Sequence, residues 1–161
     1  MNILVTGGMG FIGSNFIEFL LKKEEVKKVI NIDCPSDSAA AANRDNCKEF
    51  IPNEKYFFQD VWLQTVLHPI TNKKFCDLID AHQIDHIVHF AAESHVDNSI
   101  KNPTRFIESN IVGTFNLLEI LRKKYPNIRF HHISTDEVYG SLGDEGAFTE
   151  ETPYDPSSPY S

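Results

Sequence analysis

Three glycines at positions 7, 10 and 13 constrain this chain more than any other feature of its sequence. They follow Asn2-Ile3-Leu4-Val5-Thr6, an apolar run of strand length. They lead into Ile12, Phe16, Phe19 and Leu20, whose three- and four-residue spacing predicts the inward face of a helix. A strand, a glycine turn and a helix in that order open a dinucleotide-binding βαβ unit, here in a G-x-x-G-x-x-G spacing. The chemistry explains the residue type. Gly7 lets the chain turn sharply out of the strand, Gly10 leaves no Cβ between backbone and a pyrophosphate, and Gly13 lets the helix lie close to the sheet. The first N–H groups of such a helix lack intrahelical partners and, with the helix dipole behind them, favour phosphate. An ordinary strand-to-helix turn is the plainer reading, but the strand before, the helix after and an acid downstream agree on the nucleotide one.

That acid is Asp33. Lys28-Val29-Ile30-Asn31-Ile32-Asp33 reads as the second strand and ends in a carboxylate 20 positions after Gly13, the offset at which such folds hold the adenosine ribose hydroxyls. Asp33 would repel a 2′-phosphate, and Cys34-Pro35-Ser36 offers no arginine to receive one, so the expected cofactor is NAD rather than NADP. Ser36 to Asn46 is polar and alanine-rich and reads as a loop with a short helix. Lys55 to Asp60 is a short aromatic third strand. Its terminal Asp60 either accepts from an adenine amino group or caps the following turn.

Asn72 to His82 carries Phe75, Leu78, Ile79 and His82 on one face of an amphipathic helix. His86-Ile87-Val88-His89-Phe90 is the fourth strand, and Ala91 and Ala92 leave it, small enough for a flat cofactor to approach the backbone. His86 and His89 fall on opposite strand faces and make a poor pair of ligands, so no metal is expected. Glu93 to Asn102 reads as a polar loop, and Pro103 suits the first turn of a long helix to about Lys124. Phe106, Ile107, Ile111, Phe115, Leu118 and Leu121 form the expected apolar side of that helix, while Ser109 and Asn110 read as facing solvent or a neighbouring helix. Ile128 to Ser134 is the fifth strand. Strands alternating with helices predict a Rossmann-type α/β fold, a doubly wound parallel sheet of order 3-2-1-4-5. The glycine turn, Asp33, Asp60, the Ala91-Ala92 loop and Thr135-Asp136-Glu137 then leave strand ends on a single rim.

A chain of 161 residues is one domain by length, and a formal charge of −8 without a basic cluster argues against nucleic acid as a partner. No apolar run reaches membrane-spanning length. Cys34, Cys47 and Cys76 lack a C-x-x-C pair, which favours free thiols and a cytoplasmic location.

Four segments together resemble the extended short-chain dehydrogenase/reductase family: Thr6 to Gly13 (TGGMGFIG), Phe90 to Asp97 (FAAESHVD), Ser109 to Thr114 (SNIVGT) and Ser134 to Gly140 (STDEVYG). The second and fourth are similar to its nucleotide-sugar 4,6-dehydratase branch. The resemblance implies that Phe11 and Ile12 offer backbone to the pyrophosphate, Asp33 holds the ribose, and Asp60 and Val61 hold the adenine. It implies that Ala91, Ala92, Ser94 and Ser109 line the nicotinamide side, with Ser94 and Thr135 also near the sugar. Tyr160 would be the tyrosine of a Y-x-x-x-K signature, Asp136 the general acid and Glu137 the general base. On composition alone Asp136 and Glu137 read as a solvated acidic turn.

The activity implied is NAD-dependent dehydration of an NDP-glucose, dTDP or UDP, to the 4-keto-6-deoxy sugar, by a homodimer when full length. Related epimerases are the alternative within the family, and a non-catalytic NAD-binding module the alternative outside it. The lysine four positions after Tyr160 would fall past Ser161, and relatives are about twice as long. The chain is therefore expected to be the NAD-binding half, a truncated fragment without the substrate domain and inactive by itself.

Overall fold

The computed structural model describes residues 1–33, 50, 52–60, 73–143 and 145–161. Five parallel strands, β1 (Asn2–Thr6), β2 (Lys28–Asp33), β3 (Tyr56–Asp60), β4 (His86–His89) and β5 (Arg129–His132), form one sheet in the order β3-β2-β1-β4-β5. The order is the predicted one. It reverses between β1 and β4, so ligands are expected beyond the C-terminal ends of those two strands.

The central strands are buried on both faces, which is why they read as continuous apolar runs rather than alternating ones. Ile3, Val5 and Val29 point to one side, where they pack with Ile17 and Leu20 of α1 (Phe11–Leu21). Leu4, Ile30, Ile32 and Ile87 point to the other, against Phe75 and Ile79 of α2 (Lys73–His82) and Leu117, Ile120 and Leu121 of the helix before β5. Each of these side chains, removed from water, stabilises the sheet by about 1.5–3 kcal/mol. The face of α2 follows the expected Phe75–Ile79 pattern, with buried Cys76 joining it and Leu78 partly buried.

Two helices depart from their predicted faces. In α1 the buried positions are Gly13, Ser14, Ile17 and Leu20, whereas Ile12 and Phe19 are exposed. Gly13 sets this phase, because a side chain there would run into the Gly7 carbonyl and Gly8, so the bare residue must face the turn. The expected loop from Glu93 to Asn102 contains a short helix, α3 (Val96–Lys101). The long helix after it is built in three parts: α4 (Pro103–Phe106), a π-helical segment (Ile107–Gly113) and α5 (Thr114–Lys124). Its inward line is Phe106, Ser109, Gly113, Asn116, Leu117, Ile120 and Leu121. Ile107, Ile111, Phe115 and Leu118, predicted to be core, are exposed.

The expected loop over Ser36 to Asn46, and Cys34, Cys47 and Val61, lie outside the described residues. Cys76 is a buried free thiol.

Candidate active site

The glycine turn forms the first wall of the site. Gly7 stands at φ +70, a left-handed conformation that glycine takes without strain, and its N–H donates to the Ile32 carbonyl at 3.0 Å. A Cβ on Gly7 would lie 2.6 Å from the Ala91 nitrogen, so this turn and the loop leaving β4 touch through backbone alone. Gly10 precedes α1 in extended conformation and offers no capping side chain, and the first turn of α1 carries no acid. The helix therefore starts with uncapped N–H groups beside the outward-facing Phe11 and Ile12. Gly13 serves close packing, but against the turn itself rather than the sheet.

Asp33 ends β2 next to this turn, and its Oδ2 accepts a hydrogen bond from the Met9 N–H at 2.7 Å. Asp60 ends β3 in register with Asp33, which puts the two predicted adenosine-side acids at neighbouring strand ends.

Ala91 and Ala92 leave β4 on the same rim. The Ala91 N–H donates to Thr6 Oγ1 at 3.3 Å. The buried His89 lies 2.6 Å from the same Thr6 oxygen through Nδ1 and 3.1 Å from Thr114 Oγ1 through Nε2. Burial, with His132 nearby, pushes the His89 pKa down to about 4, so its ring is neutral at ordinary pH. Ser94 is exposed further along this loop. Ser109 is buried within the π-helical segment.

Asn110, read from spacing as facing solvent or a neighbouring helix, clamps the loop instead. Its Oδ1 accepts from the Glu93 N–H at 2.9 Å and its Nδ2 donates to the Glu93 carbonyl at 2.9 Å. Arg105 adds an ion pair to the Glu93 carboxylate at 3.0 Å. Asn110 lies within the π-helical segment, a conformation that recurs at functional sites.

Thr135, Asp136 and Glu137 leave β5 in a single helical turn, Asp136–Tyr139. Thr135 caps it, its Oγ1 accepting from the Glu137 N–H at 3.2 Å and donating to Asp136 Oδ1 at 3.4 Å. The chain end returns to this turn. Ser161 Oγ donates to Glu137 Oε2 at 3.5 Å, and the Tyr160 N–H donates to Ser99 Oγ at 3.2 Å. Ser99, fully buried and unremarked in the sequence, thus fastens the Tyr160 backbone to α3, while the Phe106 ring meets the Tyr160 ring edge-on at 6.4 Å. Thr135, Asp136 and Glu137 thus leave β5 on the rim that carries the glycine turn, and the Tyr160 segment reaches them through Ser161.

An open cleft of about 740 Å³ lies beside them, lined among others by Ser134, Thr135, Asp136, Tyr139, Phe148 and Tyr154. A smaller hollow of about 310 Å³, lined by Ile79, Asp80, Gln83 and Tyr125, lies at the opposite end of the sheet and holds none of the predicted residues. Among the described residues no group of His, Cys, Asp and Glu is placed to hold a metal ion. Nor is any helix among them long and apolar enough to cross a membrane.

Residues 4–161 match the family described as GDP-mannose 4,6 dehydratase. The chain belongs to this family. Its kinship with the nucleotide-sugar dehydratases and epimerases of the extended short-chain dehydrogenase/reductase group runs the length of the chain. It is 46% identical over 170 residues to a dTDP-glucose 4,6-dehydratase of Haemophilus influenzae, covering 100% of this chain and 47% of the relative. A crystal structure of dTDP-glucose 4,6-dehydratase from Bacillus anthracis in complex with NAD superposes with a TM-score of 0.81 at 43% identity, over 99% of this chain and 46% of that one. A UDP-glucuronic acid 4-epimerase from Bacillus cereus in complex with NAD gives 0.80 at 31% identity, over 99% of this chain and 48% of that one. The chain spans about half the length of the dehydratase family members it matches. Both of these solved relatives, the Bacillus anthracis dehydratase and the Bacillus cereus epimerase, are in complex with NAD.

Proposed function

We propose that this chain is the NAD-binding half of a nucleotide-sugar 4,6-dehydratase, converting an NDP-glucose to the NDP-4-keto-6-deoxy sugar and water. The observation that carries the reading is the meeting of Thr135, Asp136, Glu137 and the Tyr160 segment on the rim of the glycine turn.

The residues present fit a dinucleotide. The uncapped start of α1 at Phe11 and Ile12 suits the pyrophosphate, and the turn of Gly7, Gly10 and Gly13 leaves backbone bare beside it. Asp33, already bonded to this turn, suits the ribose, and the family resemblance assigns the adenine to Asp60, whose backbone ends β3 in register with Asp33, and to Val61. Ala91, Ala92, Ser94 and Ser109 would line the nicotinamide side. When bound, NAD supplies hydride uptake from C4 of the sugar and hydride return at C6. Tyr160 takes the proton of the 4-hydroxyl. The resulting 4-keto group acidifies C5, Glu137 removes the C5 proton, Asp136 protonates the departing 6-hydroxyl, and Glu137 returns its proton to C5 as C6 is reduced. Thr135, which orders the turn by its two hydrogen bonds, and Ser94 would position the sugar. Several relatives named as dTDP-glucose 4,6-dehydratases support dTDP rather than UDP as the carrier of the sugar.

The exposed line of Ile107, Ile111, Phe115 and Leu118 supports a homodimer built on this helix. A cytoplasmic location accords with a buried, unpaired Cys76.

The test is elimination from dTDP-glucose by the full-length protein. Asp136→Asn and Glu137→Gln are expected to cost about 10²–10⁴-fold each in kcat. Unchanged elimination in both would defeat the dehydratase mechanism. The epimerase reading, favoured by the Bacillus cereus match, predicts instead 4-epimer formation that tolerates both changes.

A further inference from the structure

The buried histidine at the end of β4 has no part in the chemistry above, yet it contacts Thr6 and Thr114 and, through Thr6, is linked to Ala91. Thr6 precedes the glycine turn, Ala91 follows β4, and Thr114 follows the π-helical segment that holds Ser109 and Asn110. Thr6 Oγ1 receives the Ala91 N–H at 3.3 Å and lies 2.6 Å from His89 Nδ1. Thr6 Oγ1 already accepts from Ala91, and its own proton finds an acceptor in Nδ1 when that ring nitrogen carries no hydrogen. The ring proton then sits on Nε2 and is donated to Thr114 Oγ1 at 3.1 Å. The result is one chain of donors with a single direction: Ala91 to Thr6, Thr6 to His89, His89 to Thr114.

We propose that His89, as an Nε2-protonated neutral imidazole, is a positioning residue that sets the Ala91-Ala92 backbone against the glycine turn for the nicotinamide half of NAD. The inference rests on the NAD assignment above. Ala91 lies so near Gly7 that a Cβ would not fit between them, and a small shift of the β4 exit would therefore alter the cradle itself. The ring is also held from β5. His132 stacks on it at 5.4 Å between centroids and Phe130 lies at 5.7 Å. Since Thr135 follows His132 by three residues, His89 joins the cradle to the strand that delivers the reactive turn.

Two measurements decide the matter. Nitrogen NMR of the histidine rings in the unmodified chain is expected to show His89 protonated at Nε2 alone near neutral pH. A proton on Nδ1, or on both nitrogens, overturns the proposal. His89→Phe, which keeps the ring packing but has no nitrogen, is expected to lose about tenfold or more in NAD affinity. Its affinity for ADP-ribose, which lacks the nicotinamide, should change less than about twofold, and exchange of the Ala91 amide should accelerate. His89→Asn, whose Oδ1 can accept from Thr6 in place of Nδ1, should recover most of the NAD affinity. A His89→Phe chain that binds NAD as tightly as the unmodified one overturns the proposal, as does equal loss for NAD and ADP-ribose. If the unmodified chain binds neither nucleotide, the NAD assignment fails, while the ring spectrum and Ala91 exchange still decide whether His89 holds the loop.

Discussion

The Asp33 carboxylate, at the end of β2, accepts a 2.7 Å hydrogen bond from the backbone N–H of Met9 in the turn that leaves β1. The residue expected to select the ribose therefore also holds the turn expected to carry the pyrophosphate. Asp33→Asn keeps an acceptor for Met9 but removes the charge. NAD affinity should fall about tenfold, the worth of about one charge-assisted hydrogen bond, and discrimination against NADP should shrink. Calorimetric titration with both cofactors checks this, and undiminished preference for NAD would remove Asp33 from the ribose site.

Gly7 combines φ +70 with a backbone neighbour 2.6 Å from where a Cβ would be. Gly7→Ala should destabilise the fold by about 2–4 kcal/mol, from the left-handed conformation and the overlap with Ala91 together. Urea denaturation measures it. A loss below about 0.5 kcal/mol, typical of an unconstrained surface site, would mean the turn and the β4 exit do not meet as described.

Burial and the neighbouring His132 push the His89 pKa down to about 4, and burial lowers that of His132 as well. An unfolded histidine titrates near about 6.5. Between those values the unfolded chain binds a proton that the folded chain refuses, so stability rises with pH across the window. The contribution is full above the unfolded value and is lost as pH falls toward the folded one, up to about 3 kcal/mol for His89. Denaturation curves taken near pH 7 and near pH 4 should show the loss, and His89→Phe should flatten the slope. An unchanged slope in that variant would rule out His89 as its source.

Ile111 and Phe115 are 64% and 57% exposed on one helical line, more apolar surface than a solvated helix needs. Ile111→Glu and Phe115→Glu should leave the stability of the monomer within about 0.5 kcal/mol while dissociating a dimer formed on this face. Sedimentation of the full-length protein reads the mass directly, and a dimer that survives both changes lies elsewhere.

The strand order, the glycine turn and the gathering of Asp33, Ala91 and Thr135 on one rim were legible in the chain before any fold was in view. Each follows from local chemistry: an apolar run of strand length, a glycine where φ is positive, an acid at a strand end, and the right-handedness of parallel crossovers. Periodicity misled at the helices. Ile107, Ile111, Phe115 and Leu118 make as good an apolar stripe as the buried line of Ser109, Gly113, Leu117 and Leu121, and nothing in the spacing says which one meets the sheet.

Asn110, Ser99 and His89 were missed for a related reason. An amide, a hydroxyl and an imidazole gain meaning from the groups across from them: the Glu93 backbone, the Tyr160 N–H, and two threonines 83 and 25 residues away in the chain. The amino-acid sequence by itself determined a nucleotide-binding sheet and the rim its site must occupy, because those depend on backbone conformation and the period of side chains along one element. Only the tertiary structure decided which helix faces turn inward and which polar groups hold the loops. Those depend on close approach between distant segments, where a missing Cβ or a single hydrogen-bond partner outweighs apolarity.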